Sequence, residues 1–308
     1  MRHSGITVVI LTYNEAKHIA RCIRSVSSIA EEIWVVDSFS TDETCAIAER
    51  CGAKTVKHEF ENQAQQFNWA IDTLDIKGSW IWRVDADEYT EPPLGELVCK
   101  AINDCDSDVN GIYVNKKIVF LGRPLMHGGW YPAQQIKIIR KGHGRSENKA
   151  MDEHLIITDG RVIAVDGDQT DENLNDLTWW TDKHNRYSDR EALNMLRMEY
   201  GMDEDAKSGV RPRLFGNDAE RKRWLKLRYA GMPLYVRPFL NFTARYILKG
   251  GFRDRNIRWY ILQCFWYRFL VDAKIYEIKK RLGFDDERIK SYIKGDSILP
   301  PPNTINNH

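Results

Sequence analysis

Asp85 and Asp87 stand one residue apart, directly after the apolar run Trp80–Val84. At that spacing two carboxylates reach the same side of a loop, and carboxylate oxygens suit hard cations such as Mg²⁺ and Mn²⁺. Magnesium commonly takes only one or two protein carboxylates, with phosphate and water completing its shell. The pair therefore predicts a phosphate-bearing substrate rather than a closed protein cage. There is no Walker loop and no Gly-x-Gly-x-x-Gly, so no glycine-rich cradle is available to hold phosphate. Two further polar clusters follow apolar runs: Thr12-Tyr13-Asn14-Glu15 after Ile6–Leu11, and Asp37-Ser38 after Ile33–Val36. Asp37 suits a hydrogen bond to a ribose or a base edge. Asp37 and Asp42 equally suit a turn and a helix start, where backbone N–H groups attract carboxylates.

The elements that must position these residues alternate. Ile6–Leu11 is a continuous β-branched run fit for an inner parallel strand. Ile19, Cys22, Ile23 and Val26 recur at helical spacing. Ile33–Val36 gives a second strand. Ser40 and Glu43 have capping-box spacing and predict the start of the next helix, which Gly52 ends. Thr55–Val56 lies in a third strand, Phe67, Ala70, Ile71 and Leu74 mark a third helix, and Trp80–Val84 is a fourth strand. This βαβαβαβ order predicts a parallel sheet with helices on both faces and a ligand at the carboxyl ends of its strands. All three polar clusters fall there. After Pro92-Pro93 and one more helix the pattern becomes strand-rich, with Gly111–Leu121 and Gln134–Arg140 as strands. Leu155–Ile157 and Arg161–Val165 flank Asp159-Gly160 and predict a hairpin. From about Asp176 the chain reads as helical.

With these residues on the page, the chain resembles family 2 glycosyltransferases with the GT-A fold. Ile10–Glu15, Val35–Thr44 and Val84–Glu88 are similar to that family's three opening motifs in letters, order and spacing. Phe120-Leu121-Gly122-Arg123, followed by His127-Gly128-Gly129-Trp130-Tyr131-Pro132, resembles a narrower bacterial branch. That branch adds glucose-type sugars to lipopolysaccharide core or to lipid-linked glycans. The resemblance is specific over about the first 165 residues and looser in the helical tail. It implies an α/β GT-A domain with a mixed, mainly parallel sheet over residues 1–170, and a helical, membrane-proximal, acceptor-side region over 171–308. It also implies a UDP-sugar donor, with Thr12, Tyr13, Asn14, Glu15 and Asp37 on the uridine nucleotide. Gln66 and Asn68 would contact the nucleotide or order the Asp-x-Asp loop. Asp87 would ligate Mg²⁺ or Mn²⁺ directly, Asp85 would serve the metal or the ribose, and Ala86 between them completes the donor-binding set.

The mechanism so implied is single displacement with inversion. A carboxylate takes the proton of an acceptor hydroxyl, the metal neutralises the departing diphosphate, and alignment supplies much of the rest. Met151-Asp152-Glu153-His154 offers two carboxylates, and the branch carries an acid here beside a histidine, so Glu153 or Asp152 is the expected base. The other reading is a surface turn before the Leu155 strand. There is one departure: relatives often carry Asp after Trp-Tyr-Pro, where this chain has Ala133. If that Asp is the base elsewhere, this chain uses another residue or is silent. Three alternatives stay open: a polyprenyl-phosphate glycosyl synthase, a protein or peptide glycosyltransferase, and a catalytically silent nucleotide-sugar-binding protein. Lys183-His184-Asn185-Arg186-Tyr187 belongs either to a helix over the acceptor cleft or to helix packing, with His184 a capped or core residue.

The charge balance, 45 basic against 44 acidic side chains, hides an asymmetry, because residues 211–268 hold 14 Lys or Arg against 3 Asp or Glu. Through 211–282 these alternate with Tyr235, Phe239, Phe242, Tyr246, Trp259, Tyr260, Phe265, Trp266, Tyr267 and Phe269. Basic and aromatic residues on helices suit an anionic headgroup layer. The competing reading is a helical layer whose aromatics pack inside or at a dimer interface, so a homo-oligomer also stays open. Nothing resembles a nucleic-acid module, and no nucleic-acid partner is expected. No run reaches the roughly twenty apolar residues of a membrane span, and Ile6–Leu11 is too short for a signal peptide. The six cysteines form no CxxC pair and read as reduced structural thiols. The expected location is therefore cytoplasmic, peripheral on the cytoplasmic face of the inner membrane.

Overall fold

The computed structural model describes residues 5–147, 154–202, 213–215 and 218–301. Strand β1 (Ile6–Thr12) is buried along its whole length. Its alternating side chains enter two cores: Ile6, Val8 and Ile10 one, Val9 and Leu11 the other. That division is why the run is continuously apolar rather than alternating. Helices α1 (Ile19–Val26) and α2 (Thr44–Arg50) feed the first core through Ile19, Cys22, Ile23, Val26 and Ala48. Helix α3 (Gln63–Thr73) feeds the second through Phe67 and Ala70. Full burial of each such aliphatic or aromatic side chain contributes about 1.5–3 kcal/mol.

Strands β2 (Glu32–Asp37), β3 (Lys54–Lys57) and β4 (Trp80–Asp85) lie parallel to β1 in the order β3-β2-β1-β4. The chain continues through β5 (Glu88–Thr90), α4 (Leu94–Asp104), β6 (Val109–Phe120), β7 (Arg123–Pro124), β8 (Ala133–Arg140), β9 (Gly144–Ser146), β10 (Leu155–Ile157) and β11 (Arg161–Glu172). Beyond β4 the sheet runs β8-β6-β11-β5, with β7 folded back on β6. Strand β8 is antiparallel to β4 and β6, β11 is parallel to β6, and β5 is antiparallel to β11. The architecture is thus the expected α/β class, parallel through its first four strands and mixed beyond.

Two local expectations are corrected. Asp159-Gly160 does not close a hairpin: β10 pairs with β9, and β11 pairs with β6. The turn is bound to the start of β6 instead. Asn110 Nδ2 donates to the Asp159 carbonyl at 3.0 Å, and the Arg161 N–H donates to the Asp108 carbonyl at 2.9 Å. Gly160 has φ +79°, and a Cβ there would lie 2.4 Å from the Asp108 oxygen, so the close approach requires glycine. Nor do Ser40 and Glu43 form a capping box. Helix α2 begins at Thr44, whose N–H donates to Asp42 Oδ1 at 3.0 Å, while Ser40 is held by Asp37.

The chain divides into units Met1–Asn175 and Asp176–His308. The second holds α5 (Leu177–Glu199), α6 (Asp218–Ala230), α7 (Val236–Phe242), α8 (Ile257–Trp259), α9 (Tyr267–Arg281) and α10 (Asp286–Lys294). Thr243–Leu248 and Tyr260–Trp266 are π-helical continuations of α7 and α8. Asp176 caps α5 by accepting the Trp179 N–H at 2.9 Å. Leu196, Val271, Ile275, Ile278, Ile289 and Ile293 form the centre of this unit's core. Asp272, 1% exposed, pairs with Arg237 and accepts the Tyr235 N–H at 2.7 Å. Of the tail aromatics, Trp259, Tyr260 and Tyr267 are buried, whereas Phe239, Phe252 and Phe269 are exposed. His184 stacks on Trp180 at 3.5 Å and contacts the Trp180 carbonyl through Nδ1 at 2.8 Å, so it packs within the unit. Among the described residues no helix is long and apolar enough to cross a membrane. None of the six cysteines forms a disulfide.

Candidate active site

The carboxyl ends of β1, β2 and β4 carry the three motifs, and the first two are laced together. Thr12, at the end of β1, lies beside Asp37, at the end of β2. Asn14, in the left-handed conformation at φ 54°, accepts the Thr41 N–H through Oδ1 at 2.8 Å and donates its own N–H to Ser40 Oγ at 2.8 Å. The Glu15 N–H donates to Thr44 Oγ1 at 2.8 Å. Asp37 is fully buried, its carboxylate accepting both the N–H and the hydroxyl of Ser40. Tyr13, 57% exposed, is the open member of the motif. Gln66, 1% exposed, donates to Ser38 Oγ at 3.1 Å and contacts His58 Nδ1 at 2.6 Å. Asn68 makes a two-point bond to the Ser146 backbone at 2.9 Å, which ties α3 to β9. Gln66 thus supports the β2 loop, and Asn68 the strand that leads into residues 148–153. The expected base residues Asp152 and Glu153 lie outside the described residues.

The Asp85-Ala86-Asp87 turn sits between β4 and β5 on a network of buried charges. Glu88, 1% exposed, accepts the Asp85 N–H at 3.0 Å and both contacts of the Lys137 ammonium at 2.8 Å. Gln169 also donates to Glu88 and accepts from Trp82 Nε1 at 2.9 Å. Lys137 approaches Asp85 Oδ2 at 3.6 Å, and Arg83 approaches Oδ1 at the same distance. Burial opposes ionisation of Asp85, but Lys137, Arg83 and Lys116 outweigh it and hold the carboxyl well below its usual range. Lys116 pairs with Asp171 at 2.8 Å and lies opposite Ala133 in the β6–β8 register. Ala86 is buried. Asp87 accepts from Asn173 Nδ2 at 3.2 Å, and its carbonyl accepts from Arg21 at 3.2 Å. The end of β11 is drawn in further by His18, whose Nε2 accepts the Leu174 N–H at 2.8 Å while Nδ1 contacts Glu15.

Residues 7–156 match the family model described as Glycosyl transferase family 2. This segment is a family 2 glycosyltransferase domain. An uncharacterized glycosyltransferase of Rickettsia felis is 46% identical over 93 residues, which cover 30% of this chain and 32% of the relative. The SPbeta prophage-derived glycosyltransferase SunS of Bacillus subtilis is 35% identical over 95 residues, covering 30% of this chain and 22% of its own. The matched part thus spans a third or less of these relatives' length. Among solved structures, glucosyl-3-phosphoglycerate synthase from Mycobacterium tuberculosis, in complex with Mg²⁺ and uridine diphosphate, aligns over 36% of this chain and 43% of its own. The identity is 20% and the TM-score 0.32.

Several residues of the glycosyltransferase domain's site were not legible as site residues in the sequence. Lys137 sits in Ile136-Lys137-Ile138-Ile139, and a charge inside an apolar strand was the available signal. Lys116, Gln169, Asp171 and Asn173 reach the Asp85–Asp87 turn only through the registers of β6, β11 and β5, which no local pattern announces. A divalent cation fits the turn chemically. Asp85 Oδ1 is buried without a hydrogen-bond partner, and hard carboxylate oxygens stand on both sides of Ala86. No group of three or more His, Cys, Asp or Glu is placed to hold a metal among the described residues, so phosphate and water would complete the shell.

Proposed function

We propose that the chain is an inverting glycosyltransferase that moves a glucose-type hexose from a UDP-sugar to a lipid-linked or lipopolysaccharide-type glycan acceptor. One observation carries the reading: the loops after β1 and β2 interlock through Asn14 and Ser40 beside a carboxylate turn with a buried oxygen that accepts no hydrogen bond. Thr12, Tyr13, Asn14, Glu15 and Asp37 form the nucleotide side, with Gln66 and Asn68 holding the neighbouring loops. Asp87 would hold Mg²⁺ or Mn²⁺, Asp85 would hold the metal or the ribose, and Ala86 would line the donor. A cation held there would supply neutralisation of the charge on the departing diphosphate. Asp152 or Glu153 takes the proton from the acceptor hydroxyl. That oxygen bonds to the anomeric carbon as the bond to the diphosphate oxygen breaks, and UDP departs with inversion. Ala133 leaves no carboxylate after Pro132, which supports assigning the base to the 152–153 pair.

The acceptor side faces the cytoplasmic leaflet of the inner membrane in this reading. Phe239, Ile247, Leu248 and Phe252 are each more than half exposed, and Arg245, Lys249, Arg253 and Arg255 are near them in sequence. This composition supports an anionic bilayer surface as partner. The test is UDP release from a panel of UDP-sugars with Mg²⁺ or Mn²⁺, for the parent and for Asp87→Asn. Metal-dependent release from one donor, abolished by the substitution, is expected. Absence of both release and UDP binding overturns the donor assignment.

A further inference from the structure

The end of β11 is bound to the Asp85–Asp87 turn residue by residue. Its pairing with β5 sets Asp171 opposite Glu88, and one step on the Glu172 N–H donates to the Asp87 carbonyl at 3.2 Å. Arg21 Nη2 donates to the same carbonyl at 3.2 Å, while Nη1 pairs with Glu172 Oε2 at 2.7 Å. The Leu174 N–H is taken by His18 Nε2 at 2.8 Å, and Asn175 Oδ1 accepts from Lys17 Nζ at 2.9 Å. Three residues at the start of α1 thus hold residues 172–175 as a strap beside the turn.

Within the strap, Asn173 reaches the Asp87 carboxylate itself: Nδ2 donates to Oδ2 at 3.2 Å. Its Oδ1 accepts the Asn175 N–H at 3.0 Å, and that bond decides which end of the amide faces Asp87. A turned amide would set oxygen against carboxylate and nitrogen against an N–H. Asn173 therefore orients Asp87 with a donor that carries no charge. Asp85 is held differently, with Lys137 and Arg83 each 3.6 Å from its oxygens. An ammonium in the place of Asn173 would compete with Mg²⁺ or Mn²⁺ for the Asp87 charge, whereas an amide restricts the carboxylate's rotation and adds no competing charge.

We propose that Asn173 is a positioning residue for the cation end of the donor site: it fixes Asp87 Oδ2 through a neutral hydrogen bond and ties it, by the 172–175 strap, to the start of α1. The proposal rests on Asp87 as the cation ligand of the preceding reading and names what orients it.

Mn²⁺ titration of the full chain by electron paramagnetic resonance, with UDP present, compares the parent with Asn173→Ala and Asn173→Lys. UDP affinity in EDTA, by calorimetry, and melting temperature are read on the same preparations. Asn173→Ala is expected to weaken Mn²⁺ binding about tenfold, with metal-free UDP affinity and melting temperature close to the parent's. Asn173→Lys sets an ammonium against Asp87 and should weaken Mn²⁺ binding further, by about a hundredfold. Loss of the bond to Asn175 is common to both variants, so the order parent, alanine, lysine reports on the contact with Asp87. Parent-like Mn²⁺ binding in Asn173→Ala, equal weakening in the two variants, or a parallel fall in metal-free UDP affinity overturns the proposal. A parent that binds UDP but no Mn²⁺ removes the cation reading of Asp87 and the proposal with it, and a parent that binds neither removes the donor reading as well.

Discussion

The Glu88 carboxylate accepts the backbone N–H of Asp85 at 3.0 Å, so the residue after the Asp-x-Asp turn clasps the residue that opens it. Glu88 is itself fixed by Lys137 at 2.8 Å and by Gln169, which Trp82 orients in turn. A buried anion with several donors holds one geometry, because each alternative leaves a charge unsatisfied. The turn that would present carboxylates to a cation is therefore set from beneath by residues that do not face it.

Glu88→Gln should retain the shape of this support but lose the ionic pairing to Lys137. The expected result is about a tenfold loss of Mn²⁺ affinity in the presence of UDP, with a modest change in melting temperature. Lys137→Met should instead destabilise the fold by roughly 2–4 kcal/mol, since it leaves buried Glu88 with only the more distant Lys116, 3.9 Å away. Mn²⁺ titration by electron paramagnetic resonance, beside urea denaturation, checks both. Parent-like Mn²⁺ binding in Glu88→Gln would remove the positioning role.

His18 is fully buried, and its Nε2 accepts the Leu174 N–H, so its proton sits on Nδ1 and is donated to Glu15. The imidazole thus joins the first motif to the end of β11. His18→Ala should cost about 1–3 kcal/mol through the unpaired Leu174 N–H alone. It should also increase hydrogen exchange at Leu174 and Asn175. Exchange rates unchanged from the parent would show that β11 is held without it.

Strands β1, β2 and β4 could be read because each is a largely apolar run closed by a polar cluster, and burial on both faces enforces that pattern. In the second half the strands β6, β8, β10 and β11 could be read from the sequence, but their pairing could not. Asp159-Gly160 has the letters of a hairpin turn, yet the Asp108 and Asn110 contacts send β11 alongside β6 instead. The same distant pairing brings Asp171 opposite Glu88 and Lys116 opposite Gln169. Local sequence encodes Asp85 and Asp87, while the charges that set them arrive through register. Ser40 illustrates the converse: its spacing suits a helix cap, but Asp37 and Asn14 offer it better partners three residues and a strand away.

Asn14 combines a left-handed backbone with a side-chain acceptor, two properties that substitution separates. Asn14→Gly keeps the backbone and loses the bond to Thr41, whereas Asn14→Ala loses the bond and adds roughly 1 kcal/mol of backbone strain. UDP affinity should fall in the order parent, glycine, alanine, with about 1 kcal/mol between steps. Calorimetry with UDP reads the series. An alanine variant that binds as well as the glycine variant would show that the backbone conformation does not matter.

His184 gives the second unit a pH dependence. Burial against Trp180, with Lys183 adding to it, pushes its pKa down to about 4 despite the contact with the Trp180 carbonyl. The unfolded chain, with an ordinary histidine near 6.5, binds more protons than the folded chain between these two values. Stability is therefore highest above about pH 6.5 and falls as pH drops toward 4. The imidazole is partly screened by solvent, which limits the loss to about 1–2 kcal/mol. His184→Phe should keep the stacking on Trp180 and flatten this part of the profile. Urea midpoints of parent and variant at pH 7.5, 5.5 and 4.5 measure the difference. Parallel profiles for the two proteins would assign the acid sensitivity to other groups.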